Sequence, residues 1–237
     1  GTTFNALHSW DVTPQQARAI QEQLRGRIAQ QDKLKKVRRI AGIDLGYDLK
    51  TETSRAAVAV LSFPELHMLE YAVTACPTVF PYVSGLLSFR EVPAALQVLE
   101  KLAILPDLIL CDGQGIAHPR RFGLACHLGL LTDIPTVGVA KSRLIGHHQD
   151  LGLKKGDQVA LMHQGEQIGV VLRSRDKVRP LYVSVGHNIC LDTAISYVMA
   201  SLTRYRLPET TRWAHRLASQ HSEMERLCDF HQLSHAN

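Results

Sequence analysis

The sequence predicts an α/β protein built on a mixed sheet flanked by helices, on three observations. Between residues 40 and 76, three apolar segments follow one another with only short connections, which makes an antiparallel meander. Between 106 and 140, two continuous apolar runs alternate with a helical segment, which places parallel strands in the interior of a covered sheet. After 157, two further apolar stretches, 157–172 and 179–186, read as strands in an antiparallel extension. The 237 residues, 45% hydrophobic and 21% charged, suffice for one sizeable core and are short for two. A single domain over 1–237 is therefore expected, with a tail from about 221 that has little apolar periodicity and is expected to fray.

Residues 13–31 read as the first helix, with Thr13 as its cap and Pro14 in the first helical position. Ala17, Ile20, Leu24 and Ile28 share one face, so it packs on the body of the molecule. A basic run, Lys33, Lys35, Lys36, Arg38 and Arg39, leads into a strand over Ile40 to Gly46 with Asp44 near its end. Such a run either tracks a phosphate backbone or is a solvated face. Strands over 55–63 and 66–76 follow, joined at Pro64-Glu65, then an apolar loop from Thr78 with Tyr82 beside Pro81, and a helix over 91–105 with Glu91 in its first turn. The run Pro106 to Cys111 is a strand buried on both faces and ends at Asp112, followed by Gly113 and Gly115. A helix over 121–131, a strand over 134–140 ending at Lys141, a helix over 192–202 and a helix start at 208–217 complete the chain.

Lys plus Arg (27) exceed Asp plus Glu (22) by 5, a mild bias toward an anionic partner. Five cysteines, Cys76, Cys111, Cys126, Cys190 and Cys228, show no C-x-x-C spacing and mostly lie in apolar runs. A reducing, cytoplasmic location is expected. No apolar stretch approaches the ~18 residues of a membrane helix, and the first residues lack the pattern of a secretory leader.

In open α/β sheets, ligands bind at the carboxyl ends of the strands, where Asp44 and Asp112 fall. Neighbouring strands can bring the two together, and a helix on the sheet can present Glu91 to the same point. Converging carboxylates repel unless divalent cations neutralise them, and hard oxygen ligands select magnesium, with manganese able to substitute. Such ions activate water and stabilise the leaving oxygen of a phosphodiester. His118, Arg120 and Arg121, just behind Asp112, are candidate phosphate contacts. Lys141 is either a phosphate contact or an ordinary surface lysine. His215 is either a metal ligand, a proton carrier or structural.

The segments Gly42-Ile43-Asp44-Leu45-Gly46, Pro81-Tyr82-Val83-Ser84-Gly85 running into Phe89-Arg90-Glu91, and Asp112-Gly113-Gln114-Gly115 followed by His118-Pro119-Arg120 resemble endonuclease V. Gly138-Val139-Ala140-Lys141 and Arg206-Leu207-Pro208-Glu209 match the same family, and the resemblance spans roughly residues 10–220 in its order. It implies a ribonuclease H-like fold with a mixed five-stranded sheet. It also implies a magnesium-dependent endonuclease that hydrolyses the second phosphodiester bond 3′ to hypoxanthine, leaving 3′-hydroxyl and 5′-phosphate ends. On the same resemblance Asp44, Glu91 and Asp112 are metal ligands, His215 is a fourth ligand or acid/base, and Lys141 stabilises phosphate charge. Tyr82, with Pro81, Val83 and Ser84, is the wedge that fills the gap left by a turned-out base. Gly85, Leu87, Gly113 and Leu124 line the base pocket. The expected partner of this monomer is inosine-containing DNA; Val83-Ser84 looks like animal members, some of which favour inosine in RNA, and that is the alternative. A non-cleaving inosine binder is the reading from another class.

Overall fold

The computed structural model describes residues 4–220; the expected tail and Cys228 lie outside the described residues. Among the described residues, eight strands form one sheet: β1 (Arg39–Asp48), β2 (Thr53–Ser62), β3 (Met68–Pro77), β4 (Leu108–Cys111), β5 (Thr136–Ala140), β6 (Gln158–His163), β7 (Glu166–Leu172) and β8 (Leu181–His187). Their order is β3-β2-β1-β4-β5-β8-β7-β6. The strands β1, β4 and β5 are parallel, and the other pairs are antiparallel. The five expected strands are thus the ribonuclease H-like half, β3 to β5, and the count of five is corrected to eight. The reason is edge pairing: β8 takes up the backbone groups along the free edge of β5, and the β6-β7 hairpin continues the sheet from it. That hairpin turns through Gln164 and Gly165, both left-handed with φ of 51° and 75°.

The helices are α1 (Pro14–Leu24), α2 (Leu87–Glu100), α3 (Leu124–Thr132), α4 (Leu191–Ala200) and α5, described from 209 to 220. The continuous apolar run of β4 has a simple cause. Ile109 and Cys111 pack with Val92, Leu99 and Leu128 of α2 and α3, while Leu108 and Leu110 pack with Val183, Ala194 and Val198 on the other face. Both faces are dry, so neither parity of the strand can be polar.

Helix boundaries differ from expectation, most at α1 and α2. α1 begins as predicted, with a reciprocal capping box between Thr13 and Gln16, but ends at Leu24 and tightens into a 3₁₀ turn over Arg25–Arg27, where Gly26 weakens a longer helix. α2 starts at Leu87 rather than 91 and stops at Glu100. No side chain caps it at Leu86, so the sequence carries no cap signal there, and Pro93 lies in its interior. Glu91 consequently sits one turn into the helix. The basic run ending at Arg39 lies at the amino end of β1, about 17 Å of extended strand from Asp44.

Candidate active site

Backbone register builds the floor of the site. Parallel pairing ends with Ile43 opposite Cys111, so the next residue of each strand, Asp44 and Asp112, stands side by side at the carboxyl edge. The strand β5 pairs Gly138 with Cys111 and delivers Lys141 immediately beyond its last residue. Lys141 Nζ lies 3.0 Å from Asp112 Oδ2. The carbonyl of Lys141 accepts from Arg206 Nη2 at 2.8 Å, and the same guanidinium donates to the carbonyls of Arg179 and Pro180.

His215 arrives from α5, and Gly42 makes this possible. A Cβ on Gly42 would lie 2.3 Å from the Thr210 carbonyl oxygen, so only glycine lets the start of α5 rest on β1. Two residues further along the strand, Asp44 Oδ2 stands 3.6 Å from His215 Nδ1. Glu91 descends from α2. Burial pushes its carboxyl up to about 7, with the negative charges of Asp112 and Asp44 adding to the rise and Arg90 opposing it. Burial also raises Asp44, against the pull of His215, with Asp112 adding and Lys141 opposing.

The donor set of the three acids is all carboxylate oxygen, which suits a hard divalent cation and no soft one. Among the described residues, no three carboxylate, imidazole or thiol groups converge as a closed metal site. The side chains are instead paired off, Asp112 with Lys141 and Asp44 with His215. The raised Glu91 fits a cation: buried next to two like charges, it gains its charged form when positive charge arrives.

Beside the acids opens a pocket of about 380 Å³. Tyr82, Ser84, Gly85 and Leu87 from the loop before α2, Gly113 and Leu124 from beyond β4, and Glu91, Asp112 and Lys141 all line it. Tyr82 stands on its rim, 71% exposed.

The comparison with known families decides the affiliation: residues 22–216 match the family model described as Endonuclease V. This chain belongs to the endonuclease V family. The endonuclease V of Rippkaea orientalis is 53% identical over 222 residues, covering 94% of this chain and 95% of the relative. The crystal structure of endonuclease V from Streptomyces avermitilis superposes with a TM-score of 0.87 at 40% identity, over 95% of this chain and all of that one. That of Ciona intestinalis endonuclease V, in complex with a 24mer DNA containing an inosine followed by a ribo-adenosine, superposes with a TM-score of 0.78 at 30% identity, covering 90% of this chain and 98% of that one. The family is one of metal-dependent nucleases, and this member is a nuclease.

Three expected phosphate contacts of this family member point into the protein instead. His118 is buried, donates from Nε2 to the Gly85 carbonyl at 2.7 Å and accepts the Arg120 backbone N–H on Nδ1 at 3.0 Å. Burial holds it down at about 4, so it is neutral. Arg121 spends its donors on Glu166, His163 and the His118 carbonyl. Arg120 reaches Gln21 Oε1 and the Gly85 carbonyl. The cause is the turn that brings the Arg121 N–H onto the His118 carbonyl at 2.9 Å and folds this segment under the loop. Of the wedge residues, Pro81, Tyr82 and Ser84 are exposed, while Val83 packs beside Phe80 and Phe89.

Sequence reasoning missed Ser142, Arg143 and Leu144, which line the pocket, and Gln21, fully buried beneath it. The first group had a signal, a second cation two residues past Lys141 at a strand's carboxyl end. Gln21 had one too, since it falls between Ala17 and Leu24 at helical spacing on the packed face of α1.

Proposed function

We propose that this nuclease recognises hypoxanthine in DNA and, with magnesium, hydrolyses the second phosphodiester bond on its 3′ side. The observation that carries the reading is the pair of aspartates that stand side by side where the β1–β4 pairing stops, with Lys141 3.0 Å from Asp112, opening onto a pocket with an exposed tyrosine on its rim. The inosine-containing DNA bound by the Ciona relative supports the choice of lesion.

Asp44, Glu91 and Asp112 would hold the ion, with His215 beside them. When bound, magnesium supplies charge neutralisation and an acidified water. In the net reaction a water oxygen bonds to phosphorus, the bond from phosphorus to the 3′ oxygen breaks, and that oxygen takes a proton. The ends are then a 3′-hydroxyl and a 5′-phosphate. Lys141 Nζ donates toward a non-bridging oxygen as negative charge grows there. His215, at the exposed side of Asp44, exchanges the proton with solvent. The Tyr82 ring replaces the stacking lost when the base turns out, and the Gly85 to Leu87 and Gly113 to Leu124 walls receive that base.

The test is nicking of matched end-labelled DNA and RNA strands, each with one inosine, in magnesium, manganese and EDTA. Cuts at the second bond 3′ to inosine in either metal, none in EDTA and faster cleavage of DNA are expected. Absence of metal-dependent nicking overturns the reading, and faster RNA cleavage transfers it to RNA, the alternative raised by the likeness of Val83-Ser84 to animal members.

A further inference from the structure

The wedge loop is a turn whose peptide groups are locked at both ends. The Leu86 N–H donates to the Val83 carbonyl at 2.9 Å, with Gly85 at φ 81°, the geometry of a turn that needs glycine in its third position. On the other side of the same peptide, the Gly85 carbonyl accepts from three side chains that come from two other parts of the chain. His118 Nε2 donates at 2.7 Å, Gln21 Nε2 at 2.9 Å and Arg120 Nη2 at 3.2 Å. Gln21 also accepts from Arg120 Nε through Oε1, so both ends of its amide are used. It is fully buried, though α1 supplies no residue to the pocket or the acids. A carbonyl has two lone pairs, and three donors on one oxygen, one of them cationic, is a dense arrangement for a loop.

We propose that Gln21 is a positioning residue for lesion recognition: by holding the Gly85 carbonyl together with His118 and Arg120, it fixes the orientation of the wedge turn and of the pocket wall that follows it. The inference rests on the reading that this pocket receives the base. Its logic is that the peptide between Gly85 and Leu86 joins two working parts. Upstream lies the exposed Tyr82, and downstream Leu86 opens α2, whose first residue Leu87 lines the pocket. With the amide of Gln21 removed, the turn keeps its Val83 to Leu86 bond but gains freedom to rotate about it. Arg120 loses the acceptor that aims its guanidinium. The free protein then spends part of its time in conformations that cannot take the base, and apparent affinity falls by the competent fraction. The two aspartates, set by strand register, do not move.

Gln21→Met, which keeps volume and removes both hydrogen bonds, separates this from a structural role. The expected result is a roughly 10-fold rise in KM for inosine DNA with kcat within about threefold of the parent. Hydrogen exchange at the Leu86 amide, measured on the free protein, should rise at the same time, with amides of β1 and β4 unchanged. Gln21→Glu, which can still accept from Arg120 but cannot donate to Gly85, should behave like Gln21→Met. A fall in kcat at constant KM, or unchanged KM and unchanged exchange, overturns the proposal. If Gln21→Met does not fold, Arg120→Ala at a half-buried position tests the same carbonyl with the same two readouts. A parent protein that fails to nick inosine DNA defeats the functional reading, whereas the exchange measurement still decides whether Gln21 holds the turn.

Discussion

The floor of the site and its wedge loop lie side by side and are held by different means. Asp44, Asp112 and Lys141 take their places from strand pairing, in which each backbone group is bound to its neighbour along β1, β4 and β5. The loop from Pro81 to Leu86 has no ladder. It has one turn bond and a carbonyl gripped by side chains from α1 and from the segment after β4. Ladder positions tolerate changes in most side chains, because the backbone sets them. A loop held by side chains depends on each of those residues.

This contrast can be broken most sharply at Asp112. Asp112→Ala should reduce single-turnover nicking on the order of 10³-fold while gel-shift affinity for inosine DNA holds, because the floor works on the phosphate and the loop on the base. Joint loss of affinity and rate would show that the two regions act as one. Acid provides the next test. His118 titrates near 6.5 when unfolded and near 4 when folded, so below pH 6.5 the unfolded chain takes up a proton that the folded chain refuses. Stability should fall from pH 6.5 toward 4, by up to about 3 kcal/mol from this group. The fully buried His127, also held well down by burial, adds to the loss in the same direction. Because the raised Glu91 acts in the opposite sense over the same range, urea unfolding of the parent and of His118→Gln at pH 7 and pH 4.5 measures it, and an unchanged pH dependence in the variant would refute the neutral assignment.

Tyr82→Ala should weaken binding to inosine DNA by about 1–3 kcal/mol, the worth of one base on an aromatic face, and leave the rate at saturating substrate little changed. Fluorescence anisotropy with catalysis blocked by EDTA reads the first part. An effect of similar size, on stability, is expected at Gly42→Ala, where a Cβ 2.3 Å from the Thr210 carbonyl must push α5 off β1. A stability loss of about 1–3 kcal/mol by thermal unfolding is expected, with some loss of nicking as His215 moves from Asp44.

Residue patterns made much of this molecule legible. The meander, the buried runs of β4 and β5, the cap of α1 and the position of Asp112 just past β4 follow from hydrophobic period and turn residues, which act within a few positions of chain, whereas β1 runs four residues beyond Asp44. The start of α2 was illegible because Leu86 caps nothing with its side chain, and although the stretches at 157–172 and 179–186 were legible as an antiparallel extension, nothing local said that they would be joined through β8 to the edge of β5.

The sequence by itself determined which strands could exist, that Asp112 would follow a buried one, and which family's motifs the chain carries. Only the tertiary structure decided that His118, Arg120 and Arg121 turn inward, and that Gln21, 64 positions before Gly85, meets them on one carbonyl. Hydrophobic period and turn chemistry are local. The partner of a buried polar group is whatever donor or acceptor the fold brings to it, and no short-range pattern encodes that choice.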